Sequence, residues 1–116
     1  MNVAASRIRN PAKCALLARQ LARQPKNILI FGLPDAGKTT LADEIRKQDP
    51  TRKKIDEWST DADTRILQTE QDLVATSQYR TATHENTPDE IRSYLKQNGL
   101  VPAKWQIVLI RKDSGP

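Results

Sequence analysis

The sequence predicts an α/β fold: a four-stranded parallel sheet in the order 4-1-3-2, with helices on both faces. Three observations predict it. Short runs of strand length, Ile28–Phe31, Ile55–Glu57, Leu73–Ser77 and Trp105–Ile110, are separated by stretches of helical period. Ile28–Phe31 is apolar without interruption, as in a strand buried on both faces, and passes through a glycine-bearing loop into a segment where Leu41 and Ile45 mark one buried helical stripe. Ile55–Glu57 is preceded by Lys53 and Lys54, which suit a sheet edge, where lysine deters pairing with other chains. Placing the most apolar runs at or near the centre and the lysine-bearing one at an edge gives that order, with right-handed crossovers between the strands.

Taken in chain order, Met1–Arg9 has no clear period and reads as loose. Asn10 suits an N-cap with Pro11 at the first helical position. From there Cys14, Leu17, Ala18 and Leu21 form an apolar stripe expected to pack on the domain, leaving Lys13, Arg19 and Arg23 for the wetter surface. Pro25 ends this helix. The helix after the glycine loop runs to about Gln48, stopped by Asp49-Pro50. Ser59 or Thr60 caps a short helix over 61–70, with Ile66 and Leu67 inward. Leu73–Ser77 follows as a strand whose carboxyl end is polar: Thr76, Ser77 and then Gln78. Residues 80–86 form a polar loop. Thr87-Pro88-Asp89-Glu90 is a helix start, with Thr87 as cap and Glu90 reaching back; Ile91, Leu95 and Tyr94 face inward, and Asn98-Gly99 ends the helix. Trp105–Ile110 is the last strand.

The segment of greatest chemical content is Gly32–Thr39, Gly-Leu-Pro-Asp-Ala-Gly-Lys-Thr, which fits G-x-x-x-x-G-K-[ST] in the strand–loop–helix context that the motif requires. A triphosphate tail needs many donors at close range. Backbone N–H groups of Asp35, Ala36, Gly37, Lys38 and Thr39 can curl round a phosphate at the positive end of the following helix, which Thr40 continues. Gly32 and Gly37 permit the turn and the close backbone approach. Lys38 would bridge the outer phosphates, and the Thr39 hydroxyl would ligate Mg²⁺.

On these residues the chain resembles the P-loop NTPase superfamily, of which it would be a minimal version. The resemblance implies binding of ATP or another nucleoside triphosphate with Mg²⁺ on a parallel sheet. Asp35 stands where many members carry glycine; aspartate tolerates positive φ better than most residues, but its carboxylate near phosphate opposes binding. An apolar strand ending in Asp56-Glu57 matches the Walker B pattern, in which Asp56 would hold Mg²⁺ and Glu57 would polarise the attacking water. Asp-Glu, short helix, then a strand ending in Thr76-Ser77-Gln78 resembles the FtsK–HerA and Zot-like ATPases, in which Gln78 would be the sensor of the outer phosphate. That resemblance implies an association with DNA. The segment between Lys38 and Asp56 is much shorter than in that class. Gly-Leu-Pro-x-Ala-Gly-Lys-Thr-Thr-Leu-Ala is also similar to adenylylsulfate kinase-like small kinases. There Asp56 would activate a substrate hydroxyl, and Arg65 or Arg80 would clamp phosphate.

Composition bounds these readings. A chain of 116 residues makes one small domain, divided here into a basic arm and helix over 1–26 and a nucleotide-binding domain over 27–116. With 28% charged and 37% hydrophobic residues it falls with globular rather than disordered chains. No run approaches the ~20 apolar residues of a membrane span, and no secretory signal is visible. Cys14 is the one cysteine, so no internal disulfide forms, and a cytoplasmic location fits. His84 is the one histidine, without the partners a zinc site needs. The net charge of +5 is uneven: residues 1–34 hold Arg7, Arg9, Lys13, Arg19, Arg23 and Lys26 and no acid. That balance suits contact with nucleic acid or another polyanion, as well as a solvated helix face.

Three functions follow: a Mg²⁺-dependent NTP hydrolase with a DNA-associated or accessory role; a small-molecule kinase transferring the γ-phosphate; or a nucleotide-binding interaction protein without turnover. A homo-oligomer or a larger protein partner is compatible with each. The catalytic candidates are Lys38, Glu57 and Gln78, and the metal candidates Thr39 and Asp56.

Overall fold

The computed structural model describes residues 3–6, 11–32, 36–55, 73–77, 87–97 and 104–110. Its sheet is built round the apolar run noted above. Asn27–Phe31 forms strand β2, buried at every position. Beside it on one side lies Leu73–Ser77 (β4), with Ile28 opposite Val74 and Phe31 opposite Ser77. On the other side lies Trp105–Ile110 (β5), with Leu29 opposite Ile107. Lys53–Ile55 (β3) pairs with β4. The four expected strands thus stand in the expected order, all parallel.

Two differences from the sequence reading are instructive. Val3–Ser6 (β1) is a strand, pairing parallel with β5 and extending the sheet to five strands in the order β1-β5-β2-β4-β3. Four residues carry too little side-chain pattern to announce a strand; the exposed ladder of β5 supplies the backbone partners that make them one. The second difference is that β3 includes both lysines and begins at Lys53. Among the described residues β3 has a neighbour on one side only; Lys53 is exposed, while the Lys54 ammonium reaches Asp43 at 2.9 Å.

Helices cover both faces, because successive strand residues point to opposite sides. Ile28, Ile30, Val74, Val108 and Ile110 meet Cys14, Ala18 and Leu21 of helix α1 (Pro11–Ala22) and Leu41, Ala42 and Ile45 of helix α2 (Lys38–Gln48). Leu29, Phe31, Leu73, Ala75, Trp105, Ile107 and Leu109 form the opposite cluster with Ile91 of helix α3 (Pro88–Gln97). The stripe foreseen on the first helix therefore belongs to the core. Each fully buried Ile, Leu or Phe contributes about 1.5–3 kcal/mol. Helix α3 starts as its sequence implies: the Thr87 amide donates to Glu90 Oε1 and the Glu90 amide to Thr87 Oγ1, both at 3.2 Å. The helix expected over 61–70, the loop at 80–86, the cap at Asn10 and the stop at Asn98-Gly99 lie outside the described residues, and so do the side chains of Tyr94 and Leu95. No helix among the described residues is long and apolar enough to cross a membrane.

Candidate functional site

The carboxyl edge of β2 opens into the glycine loop. Gly32 is buried directly after Phe31. A Cβ at Gly32 would lie 2.8 Å from the carbonyl oxygen of Ile110, 3.3 Å from Ala36 Cβ and 3.4 Å from Lys38 Cγ. The chain thus leaves the sheet at Gly32 and is back against the same glycine within four to six residues. The first contact is with backbone that cannot swing aside, so glycine is required.

Gly37 then turns the chain into α2 with φ 104° and ψ 18°, the left-handed region that glycine enters at no steric cost. The Leu41 amide donates to the Gly37 carbonyl at 3.0 Å, so Thr39 and Thr40 stand in the first turn, ahead of that bond. No side chain caps this end, and no acid occupies its first turn. Among the described residues the positive end of the helix is therefore uncompensated by a carboxylate or hydroxyl cap. Its other end carries Arg46 and Lys47, where cations suit the dipole.

Lys38 closes the loop. Its half-buried side chain turns back so that Nζ donates to the Gly32 carbonyl at 2.5 Å. The ammonium is thereby held over the loop's point of departure, six residues earlier in the chain. Thr39 and Thr40 are exposed beside it. Chemically, the arrangement offers one cation, amides at a helix start and two hydroxyls to an anion, and a phosphate is the group such donors suit.

The register shows what else reaches this rim. Ser77 pairs with Phe31, the last residue before the loop, and Thr76 with Ile30. Thr76 is buried at 2% exposure, which sets it in the sheet rather than in a solvent-facing sensing position. Ile55 pairs with Ala75. Asp56 and Glu57 follow Ile55 in the chain, and Gln78 follows Ser77; these three lie outside the described residues, as do Asp35, Arg65, Arg80 and His84. Among the sequence-predicted residues the structure thus brings together Gly32, Ala36, Gly37, Lys38, Thr39 and Thr40. Among the described residues no group of three or more His, Cys, Asp or Glu could hold a metal ion. Burial, and then the charge of Glu44, push the Cys14 thiol up from its ordinary value, so this cysteine is an inert core residue.

The opposite, amino edge of the sheet holds two polar links that sequence reasoning missed. Asn27 Oδ1 accepts the Leu73 amide at 2.9 Å, aligning β4 with β2. The buried Arg52 guanidinium donates from Nη1 to the Lys26 carbonyl at 2.7 Å and from Nη2 to the carbonyls of Gln24 at 2.8 Å and Ala22 at 3.4 Å. Its Nε lies 3.3 Å from Asp49 Oδ2 without hydrogen-bond geometry. The Thr51 hydroxyl, opposed next by desolvation and helped by the Thr51 amide and Arg52, holds the Asp49 carboxyl below its usual value. The partners lie 26 to 46 positions away in sequence, so no local signal marks either residue.

Comparison with models of protein families, with curated proteins and with solved structures gave no match in any of the three. The fold and the site define the chain as a small α/β domain on a parallel sheet, with a glycine loop at the carboxyl end of a central strand.

Proposed function

We propose that this chain is a minimal P-loop protein that binds a nucleoside triphosphate, ATP in the first instance, through Gly32–Thr40 and hydrolyses it. The observation that carries the reading is the return of Lys38 Nζ to the Gly32 carbonyl across a loop that starts and ends on glycine, at the uncapped head of α2. In parallel sheets ligands sit beyond the carboxyl ends of the strands, and this loop stands there beside the most buried strand.

An incoming phosphate competes with the Gly32 carbonyl for the Lys38 ammonium. It wins on charge, since the ammonium gains with an anionic oxygen a Coulombic attraction between full charges that a neutral carbonyl cannot offer. The start of α2 then orients the anion without reorganising, because Gly37 already holds the backbone in the turn. Thr39, with Asp56, would hold Mg²⁺, which would neutralise charge on the outer phosphates. Glu57 is assigned the water-polarising role and Gln78 the sensing role.

The test is calorimetric titration with ATP and Mg²⁺ of the wild-type chain and of Lys38→Ala, followed by phosphate release from Glu57→Gln. The reading expects at least tenfold weaker ATP binding in Lys38→Ala. It expects Glu57→Gln to retain ATP and lose turnover. Equal ATP binding by wild type and Lys38→Ala would remove the site. Unchanged turnover in Glu57→Gln would remove its catalytic assignment.

A further inference from the structure

We propose that the outward face of α1 docks the phosphate backbone of duplex nucleic acid. The surface is on a different helix from the one the glycine loop leads into, and the inference does not rest on nucleotide binding. Helix α1 uses Cys14, Ala18 and Leu21 in the core. Its outer side presents Lys13 and Arg19, and Arg23 follows directly after its last residue; all three are exposed. At 100° per residue these positions fall within an arc of about 120°, with axial steps of about 9 Å and 6 Å.

These cations are surplus. No acid occurs in the chain before Asp35. On α2, the helix packed against α1, Glu44 is engaged by Lys47 and Asp43 by Lys54, both at 2.9 Å, and after the helix Asp49 is engaged by Arg52 at 3.3 Å. Among the described residues the side chains of Lys13, Arg19 and Arg23 make no ion pair or hydrogen bond. Among the described residues the carboxylates on and just after α2 are thus committed elsewhere, and a line of three long cations remains. A polymer with a regular row of negative charges complements such a line without point-by-point shape matching.

An anionic membrane would select a different helix. Interfacial helices bury a broad apolar face in the lipid, whereas the apolar stripe of α1 already faces the core. Leu16, 53% exposed, is the one large apolar side chain exposed among the described residues. A single leucine amid three cations gives contact with water and phosphate rather than insertion.

The experiment is fluorescence anisotropy of a labelled mixed-sequence DNA duplex with the full chain, from 50 to 200 mM salt. Three phosphate contacts give a log–log salt slope of about −2.7 or steeper, an affinity loss of roughly 40-fold or more over that range. Changing Lys13, Arg19 and Arg23 together to Gln should flatten the slope by about three, and each single change by about one. Circular dichroism and thermal melting of the triple variant should match wild type, because the three side chains are exposed and unpaired among the described residues. Lys38→Ala should keep the wild-type slope, which separates this surface from the glycine loop. A triple variant that keeps the wild-type slope would overturn the proposal. So would absence of duplex binding at 50 mM salt, or binding to phosphatidylserine vesicles in place of the duplex.

Discussion

The guanidinium of Arg52 donates to the backbone carbonyl of Lys26 at 2.7 Å, joining the turn before β3 to the turn before β2. With its bonds to Gln24 and Ala22, one buried side chain gathers the carbonyls that leave the end of α1. A cation belongs at that negative end of the helix, and a planar fork serves several acceptors at once. The amino edge of the sheet is thus tied down, while the carboxyl edge is left to the glycine loop.

Arg52→Met keeps much of the aliphatic stem and deletes the fork. Three carbonyls then lose a charged donor, and the chain should lose about 3 kcal/mol of stability. In a chain of this size that lowers the melting temperature by roughly 10 °C. Arg52→Lys should recover only part of the loss, since one ammonium cannot span the same acceptors. Calorimetric melting checks both, and a Met variant as stable as wild type would show that the carbonyls find other donors.

At Gly32 a methyl group would meet the Ile110 carbonyl at 2.8 Å. Gly32→Ala must therefore push β5 and the loop apart, at a cost of about 1–3 kcal/mol in urea unfolding. If the loop holds phosphate, ATP affinity should fall further than stability explains, because moving residue 32 away from Ile110 also moves its own carbonyl, the one to which Lys38 donates. A Gly32→Ala chain with unchanged unfolding midpoint would contradict the close packing of β5 on the loop.

Cys14 provides a pH readout. Burial, with Glu44 adding repulsion, raises the thiol's pKa in the folded chain. The unfolded thiol ionises at about pH 8.5. This contribution to stability is therefore complete below that pH and declines as pH rises toward the higher folded value. Between pH 8 and 10 the urea midpoint of wild type should fall further than that of Cys14→Ala. At pH 8 a thiol-alkylating reagent should modify the folded chain far more slowly than the unfolded one. Equal alkylation of both would place Cys14 outside the core.

Local order was legible wherever side-chain pattern and backbone demand coincide. The uninterrupted run before Gly32 announced β2, the Thr87–Glu90 spacing announced the start of α3, and the lysines beside Ile55 announced the edge position of β3. Val3–Ser6 escaped because its pairing is offered by β5, more than one hundred residues later, and not by its own four side chains. Arg52 escaped for a related reason. In sequence it is one cation in a charged stretch, and only folding brings the carbonyls of Ala22, Gln24 and Lys26 round it.

By itself the sequence determined the strand–loop–helix unit, because glycine spacing, an apolar run and helical period all act within twenty residues. It also determined the sheet order, since solvation alone sends lysine to an edge and unbroken apolar runs to the middle. Tertiary structure decided the fifth strand, the contact of Gly32 with Ile110 and the burial of Arg52. Each of these joins backbone groups distant in the chain. Such groups are alike at every residue, so which of them come together is written in the geometry of the finished sheet rather than in any local pattern of side chains.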